Sequence, residues 1–93
     1  LNINIIHSVV SAGAVTGAIA DGKYLAYIAN VGGGFRLYIM NLATGDSQAL
    51  SDGTSDESPS FAANGKYVLY STKLGNRRVL AAVSVDGNTK QIL

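Results

Sequence analysis

Apolar residues along this chain come in short segments cut by glycine-bearing turns. Val15–Ile19, Tyr24–Ala29, Phe35–Leu42 and Ser47–Leu50 form one set, and Ser58–Ala62, Tyr67–Thr72, Val79–Val85 and Thr89–Leu93 a second. Segments of this length, rich in Val, Ile, Tyr and Thr, predict strands. The turns between them are Ala20-Asp-Gly-Lys23, Val31-Gly-Gly-Gly34 and Ala43-Thr-Gly-Asp46, then Ala63-Asn-Gly-Lys66, Lys73-Leu-Gly-Asn76 and Asp86-Gly-Asn-Thr89. Glycine accepts the positive φ that such turns demand. No stretch between glycines holds a 3.6-residue period over about 12 residues, so helices are not expected.

Shifting the sequence by 43 residues lays Asp21-Gly-Lys-Tyr24 on Asn64-Gly-Lys-Tyr67. The same shift puts Tyr27 on Tyr70, Gly32 on Gly75, Leu37 on Leu80, Gln48 on Gln91 and Leu50 on Leu93. A period in this range with four short strands per unit is that of a β-propeller blade. The fold expected is therefore all-β: two four-stranded antiparallel β-propeller blades, residues 9–50 and 51–93. Residues 1–8, with Ile3–Ser8 strand-like, fall where the outer strand of a preceding blade would lie. Tyr24-Leu-Ala-Tyr-Ile-Ala29 and Val79-Leu-Ala-Ala-Val83 are apolar on both alternating faces. An antiparallel strand facing water on one side would be polar there. Each sheet thus expects a neighbour on both sides, which makes the chain part of a longer ring or a unit that associates with itself.

Composition narrows the function. With 93 residues, 47% hydrophobic and 14% charged, the chain is no disordered tail. Seven basic residues spread along it, at a formal net charge of +1, give no nucleic-acid footprint. Without cysteine there is neither a disulfide framework nor a thiolate metal site. No apolar run approaches the ~18 residues of a membrane span. The first twenty residues carry no Lys or Arg, and Asn2, Asn4 and His7 interrupt them, so they do not read as a targeting segment.

Catalytic chemistry is not expected. His7 is the single histidine, and there is no Gly-x-Ser-x-Gly elbow. No cofactor and no metal is called for: Asp52-Gly-Thr-Ser-Asp-Glu57 lacks the spacing of a calcium loop, and Gly32-Gly-Gly34 precedes no helix. Lys73, Arg77 and Arg78 read as a solvated hairpin tip, and the tyrosines as packing between blades.

The stretch Asp56-Glu-Ser-Pro-Ser-Phe-Ala-Ala-Asn-Gly-Lys-Tyr67, with Tyr38-Ile-Met-Asn-Leu-Ala-Thr-Gly45 and Val83-Ser-Val-Asp-Gly87, resembles the repeat of the TolB family. The likeness covers residues 20–93 well and residues 1–19 poorly. In the first unit Thr16-Gly-Ala-Ile-Ala20 replaces the family's proline-bearing strand, and Ala63 stands where a proline is usual. The resemblance implies a six-bladed propeller of the periplasmic Tol–Pal cell-envelope system. It also implies binding to the peptidoglycan-associated lipoprotein Pal and contact with other Tol proteins. The Pal-facing loops map onto Val9–Ala14 and Ser51–Ser58, with Asp52, Ser55, Asp56, Glu57 and Ser58 as candidate partner-binding residues and Asp56 and Glu57 expected to be exposed charges. The repeat is shared with the gating propellers of prolyl-oligopeptidase-like and tricorn-like serine peptidases, so that role stands as the alternative, beside a self-assembling two-blade unit.

Overall fold

Glycine turns cut the chain into eight strands. The computed structural model describes residues 15–93, with the backbone alone for residues 15–20 and Val31. The expected strand within residues 1–8, the loop Val9–Ala14 and His7 lie outside the described residues. Strands β1 (Val15–Ala20), β2 (Tyr24–Val31), β3 (Gly34–Asn41) and β4 (Ser47–Ala49) form one antiparallel sheet in chain order. Strands β5 (Glu57–Phe61), β6 (Tyr67–Leu74), β7 (Arg77–Ser84) and β8 (Lys90–Ile92) form a second.

The 43-residue shift carries β2 onto β6, β3 onto β7 and β4 onto β8 at both ends of each strand. It also relates the two irregularities of pairing, between Val15 and Gly17 and between Glu57 and Ser60. Local chemistry repeats with it. Asp21 Oδ1 accepts from the N–H groups of Lys23 and Tyr24, at 2.9 and 2.8 Å, and Asn64 Oδ1 accepts from that of Lys66 at 2.9 Å. These Asx contacts close the β1–β2 and β5–β6 turns.

The hairpins at the other end are tighter than expected. Pairing runs out to Val31↔Gly34 and Leu74↔Arg77, past the expected strand ends at Ala29, Thr72 and Val79. Two-residue turns explain the difference. Gly32 and Gly33 both have positive φ, 63° and 86°, as a type I′ turn requires. In the second hairpin only Gly75 does (64°), the type II′ pattern.

The two sheets stack on a shared core. Ala26, Ile28, Leu37, Ile39 and Leu50 of the first meet Val68, Tyr70, Ala81 and Val83 of the second. The opposite face of the first sheet is apolar as well: Leu25, Tyr27 and Met40 are buried there. Tyr27 and Tyr38 sit directly opposite across β2 and β3, with ring centroids 5.5 Å apart and planes 14° from parallel. The first sheet is therefore apolar and buried on both faces, whereas its sequence leads one to expect the face turned away from the second sheet to need a neighbour beyond the two blades. On the far face of the second sheet Leu80 is 59% exposed.

One polar atom is stranded in the shared core. Tyr70 is 1% exposed and its hydroxyl has no hydrogen-bond partner among the described residues. A buried hydroxyl without a partner is destabilising relative to a plain ring. Tyr70→Phe should leave the urea midpoint unchanged or raise stability by up to about 1 kcal/mol. A loss larger than that would show that the hydroxyl is partnered in solution.

Candidate functional site

The chain crosses from the first sheet to the second through Leu50–Asp56. This connection is held against the first sheet by its backbone. Phe35 N–H donates to Thr54 O and Asp56 N–H to Phe35 O, both at 3.0 Å, so Phe35 and Ser55 form a parallel bridge. Leu50 N–H donates to Leu37 O at 2.9 Å just before it. Gly34 makes the close approach possible: a Cβ there would lie 3.0 Å from Thr54 Cβ.

Asp56 ties the connection to both sheets. Its Oδ2 accepts from Leu37 N–H of β3 at 3.0 Å, and its Oδ1 accepts from Thr72 Oγ1 of β6 at 2.6 Å. The residue is 2% exposed, and with Ser51 and Thr72 it makes up the buried polar set among the described residues. Gly53 leaves room for it: a Cβ at that position would come within 2.5 Å of Asp56 Oδ1. The expectation of an exposed Asp56 is thus overturned. A carboxylate taken out of water needs hydrogen-bond donors, and the folded connection supplies one from each sheet.

Arg78 fastens the outside of the same loop. Its Nη1 donates to Ser55 O at 3.1 Å and Ser71 Oγ at 3.0 Å, and its Nη2 to Ser55 Oγ at 2.8 Å. Glu57 Oε1 lies 3.5 Å from Nη1. Arg36 Nε adds a bond to Gly53 O at 3.2 Å. Arg78 read as solvated from sequence alone, since nothing local in a hairpin tip signals a partner 23 residues away. Lys73 and Arg77 are exposed, as expected.

What remains accessible is a short acidic rim. The Asp52 side chain is 98% exposed, with one 3.9 Å contact to Lys90 Nζ. Glu57 and Ser58 are exposed, and Ser55 is half-buried. Ser58 has φ 57°, the one non-glycine positive φ among the described residues, and Pro59 follows it. A residue before proline normally sits in the extended region, so the left-handed turn here is a strained conformation that its surroundings must hold. Of the five expected residues, the fold gathers Ser55 and Glu57 around Arg78, buries Asp56 between Leu37 and Thr72, and leaves Asp52 and Ser58 to solvent. Among the described residues no group of three His, Cys, Asp or Glu side chains could hold a metal ion.

The opposite end of the molecule has a different character. A groove of about 520 Å³ runs between the two Asx turns, lined by Asp21, Lys23, Tyr24, Phe61 and Lys66 among others. Near it, Ser84 Oγ and Asn88 N–H donate to Asp86 and hold its carboxyl below the usual carboxylate range.

A family model described as the TolB beta propeller domain covers residues 7–93. The chain belongs to the TolB β-propeller family. Among its relatives is a Tol-Pal system protein TolB from Methylobacillus flagellatus, 58% identical over 62 residues, which are 67% of this chain and 14% of that protein. The TolB of Nitrosospira multiformis is 48% identical over 71 residues, 76% of this chain and 16% of its own length. That of Azoarcus sp. is 51% identical over 61 residues, 66% of this chain and 14% of the relative. The chain therefore spans only a small part of the TolB proteins it matches. No described residue belongs to a helix long and apolar enough to cross a membrane.

Proposed function

We propose that this chain is part of a non-catalytic, protein-binding propeller of the Tol–Pal cell-envelope system, working in the periplasm. The observation that carries the reading is 48–58% identity to proteins named as TolB of that system. In the reading, residues 9–50 and 51–93 are adjacent four-stranded blades of a six-bladed ring, and residues 1–8 belong to the blade before them. The ring binds the lipoprotein Pal through the end that carries Ser51–Ser58 and Val9–Ala14.

The roles within the loop differ. Asp52, Glu57 and Ser58 offer accessible oxygens to the partner, Ser55 adds a hydroxyl held in place by Arg78, and Asp56 sets the shape of the loop from beneath. A loop on a rigid scaffold is suited to recognition because little ordering entropy is lost on binding. The gating role in a serine peptidase has no observation in its favour here.

The double variant Asp52→Ala/Glu57→Ala should bind the soluble domain of a Pal-type lipoprotein about tenfold less tightly by calorimetry, a loss of about 1.4 kcal/mol. Its unfolding free energy should stay within about 1 kcal/mol of the parent chain, because exposed charges contribute little to stability. Unchanged affinity would remove this loop from the binding surface.

A further inference from the structure

Two hollows meet between the sheets at the end of the molecule that carries the Asx turns. The groove of about 520 Å³ and a second hollow of about 280 Å³ share Tyr24 and Val85 in their linings. Both residues, with Phe61, are half-buried and pack against the shared core, so the floor where the hollows join is apolar. The two ends differ in charge. Lys23 and Lys66 line the first hollow, whereas Asp46 and Asp86 line the second, which has no basic residue in its wall. Asp86 stays ionised there, because Ser84 Oγ and Asn88 N–H both donate to its carboxyl.

The chain leaves these charges unmatched. Of its six acidic residues, Asp52 and Glu57 face Lys90 and Arg78, and Asp56 is buried on Leu37 and Thr72. The other three, Asp21, Asp46 and Asp86, all line the hollows, and none forms an ion pair among the described residues. Neither does Lys23 or Lys66. Asp21 spends Oδ1 on the Lys23 and Tyr24 N–H groups and so serves its own turn.

We propose that this groove takes an extended segment of another protein of the form acidic-x-apolar-x-basic. Its acidic residue meets Lys23 and Lys66, its apolar residue lies on Tyr24, Phe61 and Val85, and its basic residue meets Asp46 and Asp86. The spacing follows from the sheet. Lys23 stands just before β2 and Asp46 just before β4, two places apart in strand order, a span of roughly 10 Å. In an extended chain the first, third and fifth side chains share a face and cover about 13 Å. The flexible lysine stems take up the difference. Two amides favour a polypeptide. Asn41 Oδ1 accepts from Ala43 and Thr44 N–H, and Asn64 Oδ1 from Lys66 N–H. Their side-chain N–H groups, which have no acceptor among the described residues, are left for the carbonyls of the segment.

The probe is the pentapeptide Glu-Ser-Leu-Ser-Arg, acetylated and amidated so that its two side chains carry its only charges. It is titrated to millimolar concentration into the 93-residue chain while backbone amide shifts are followed by NMR. The amides of Lys23, Tyr24, Val85 and Asp86 should shift and saturate together, with those of Ser51–Ser58 unmoved. Glutamine in place of the peptide's glutamate, or of its arginine, should weaken binding about threefold to fivefold, the scale of an exposed ion pair. The variant Asp46→Asn/Asp86→Asn keeps oxygen acceptors and loses both charges. It should bind the arginine and glutamine peptides equally, which a merely structural role for the two carboxylates would not produce. Silent groove amides, shifts that gather at Ser51–Ser58, or a variant that still prefers the arginine peptide would overturn the proposal. So would a groove filled by a second copy of the chain, seen as a particle mass that doubles and blocks the shifts. The titration involves no lipoprotein and reads the end opposite Ser51–Ser58, so its failure is independent of any failure of Pal binding.

Discussion

Asp56→Ala should cost about 3 kcal/mol of unfolding free energy, more than any other single substitution in the Ser51–Ser58 loop. Two hydrogen bonds end on this carboxylate, one from the Leu37 N–H of the first sheet and one from the Thr72 hydroxyl of the second. Bonds to a charged group contribute roughly 1.5–3 kcal/mol each, and donors left buried without an acceptor carry a further penalty. Water entering the vacated space recovers part of this, which sets the estimate near the lower end. Asp56→Asn keeps one acceptor oxygen and should lose about half as much. Asp52→Ala, at a side chain 98% exposed, should change stability by less than about 0.5 kcal/mol. Urea unfolding of the three variants provides the comparison. Equal effects at positions 52 and 56 would mean that Asp56 is solvated.

Ile28→Ala should be as damaging, at about 2–5 kcal/mol, through a different mechanism. Ile28 is fully buried between the two sheets, directly opposite Leu37 in the β2–β3 register. Truncation removes apolar contacts and leaves a cavity that the stacked sheets can close only in part. Because the core is shared, the loss should reach the second sheet. Hydrogen exchange at Val68, Tyr70 and Val83 amides should accelerate along with that at Leu25 and Ile39. A second sheet whose protection survives the substitution would show that the two sheets unfold independently.

Much of the fold is legible in the chain because the repeat preserves turn chemistry. Asp21-Gly-Lys and Asn64-Gly-Lys mark the same Asx turn, so the strands after them begin where expected, at Tyr24 and Tyr67. The two-sided apolar pattern of Tyr24–Ala29 likewise anticipates a sheet buried on both faces. The strand ends at the hairpin tips are not legible. Lys73 and Arg77 are polar and exposed, and hydrophobic patterning has nothing to say about residues paired only through their backbone. The site is legible in position but not in role. Asp52 and Asp56 look alike within an acidic run, and only the fold brings Leu37 and Thr72 to one of them. Gly53, three residues before Asp56, was the available clue, since a glycine in a polar loop can mark a close approach as well as a turn.

The measurement that bears most directly on the functional account is hydrogen exchange of the chain with and without the soluble domain of a Pal-type lipoprotein. The account predicts slowed exchange at amides of the Ser51–Ser58 connection and the neighbouring Gly32–Gly33 tip, with the Asp21–Lys23 and Ala63–Lys66 turns unchanged. Slowed exchange confined to those Asx turns, or no change at Ser51–Ser58, would contradict it.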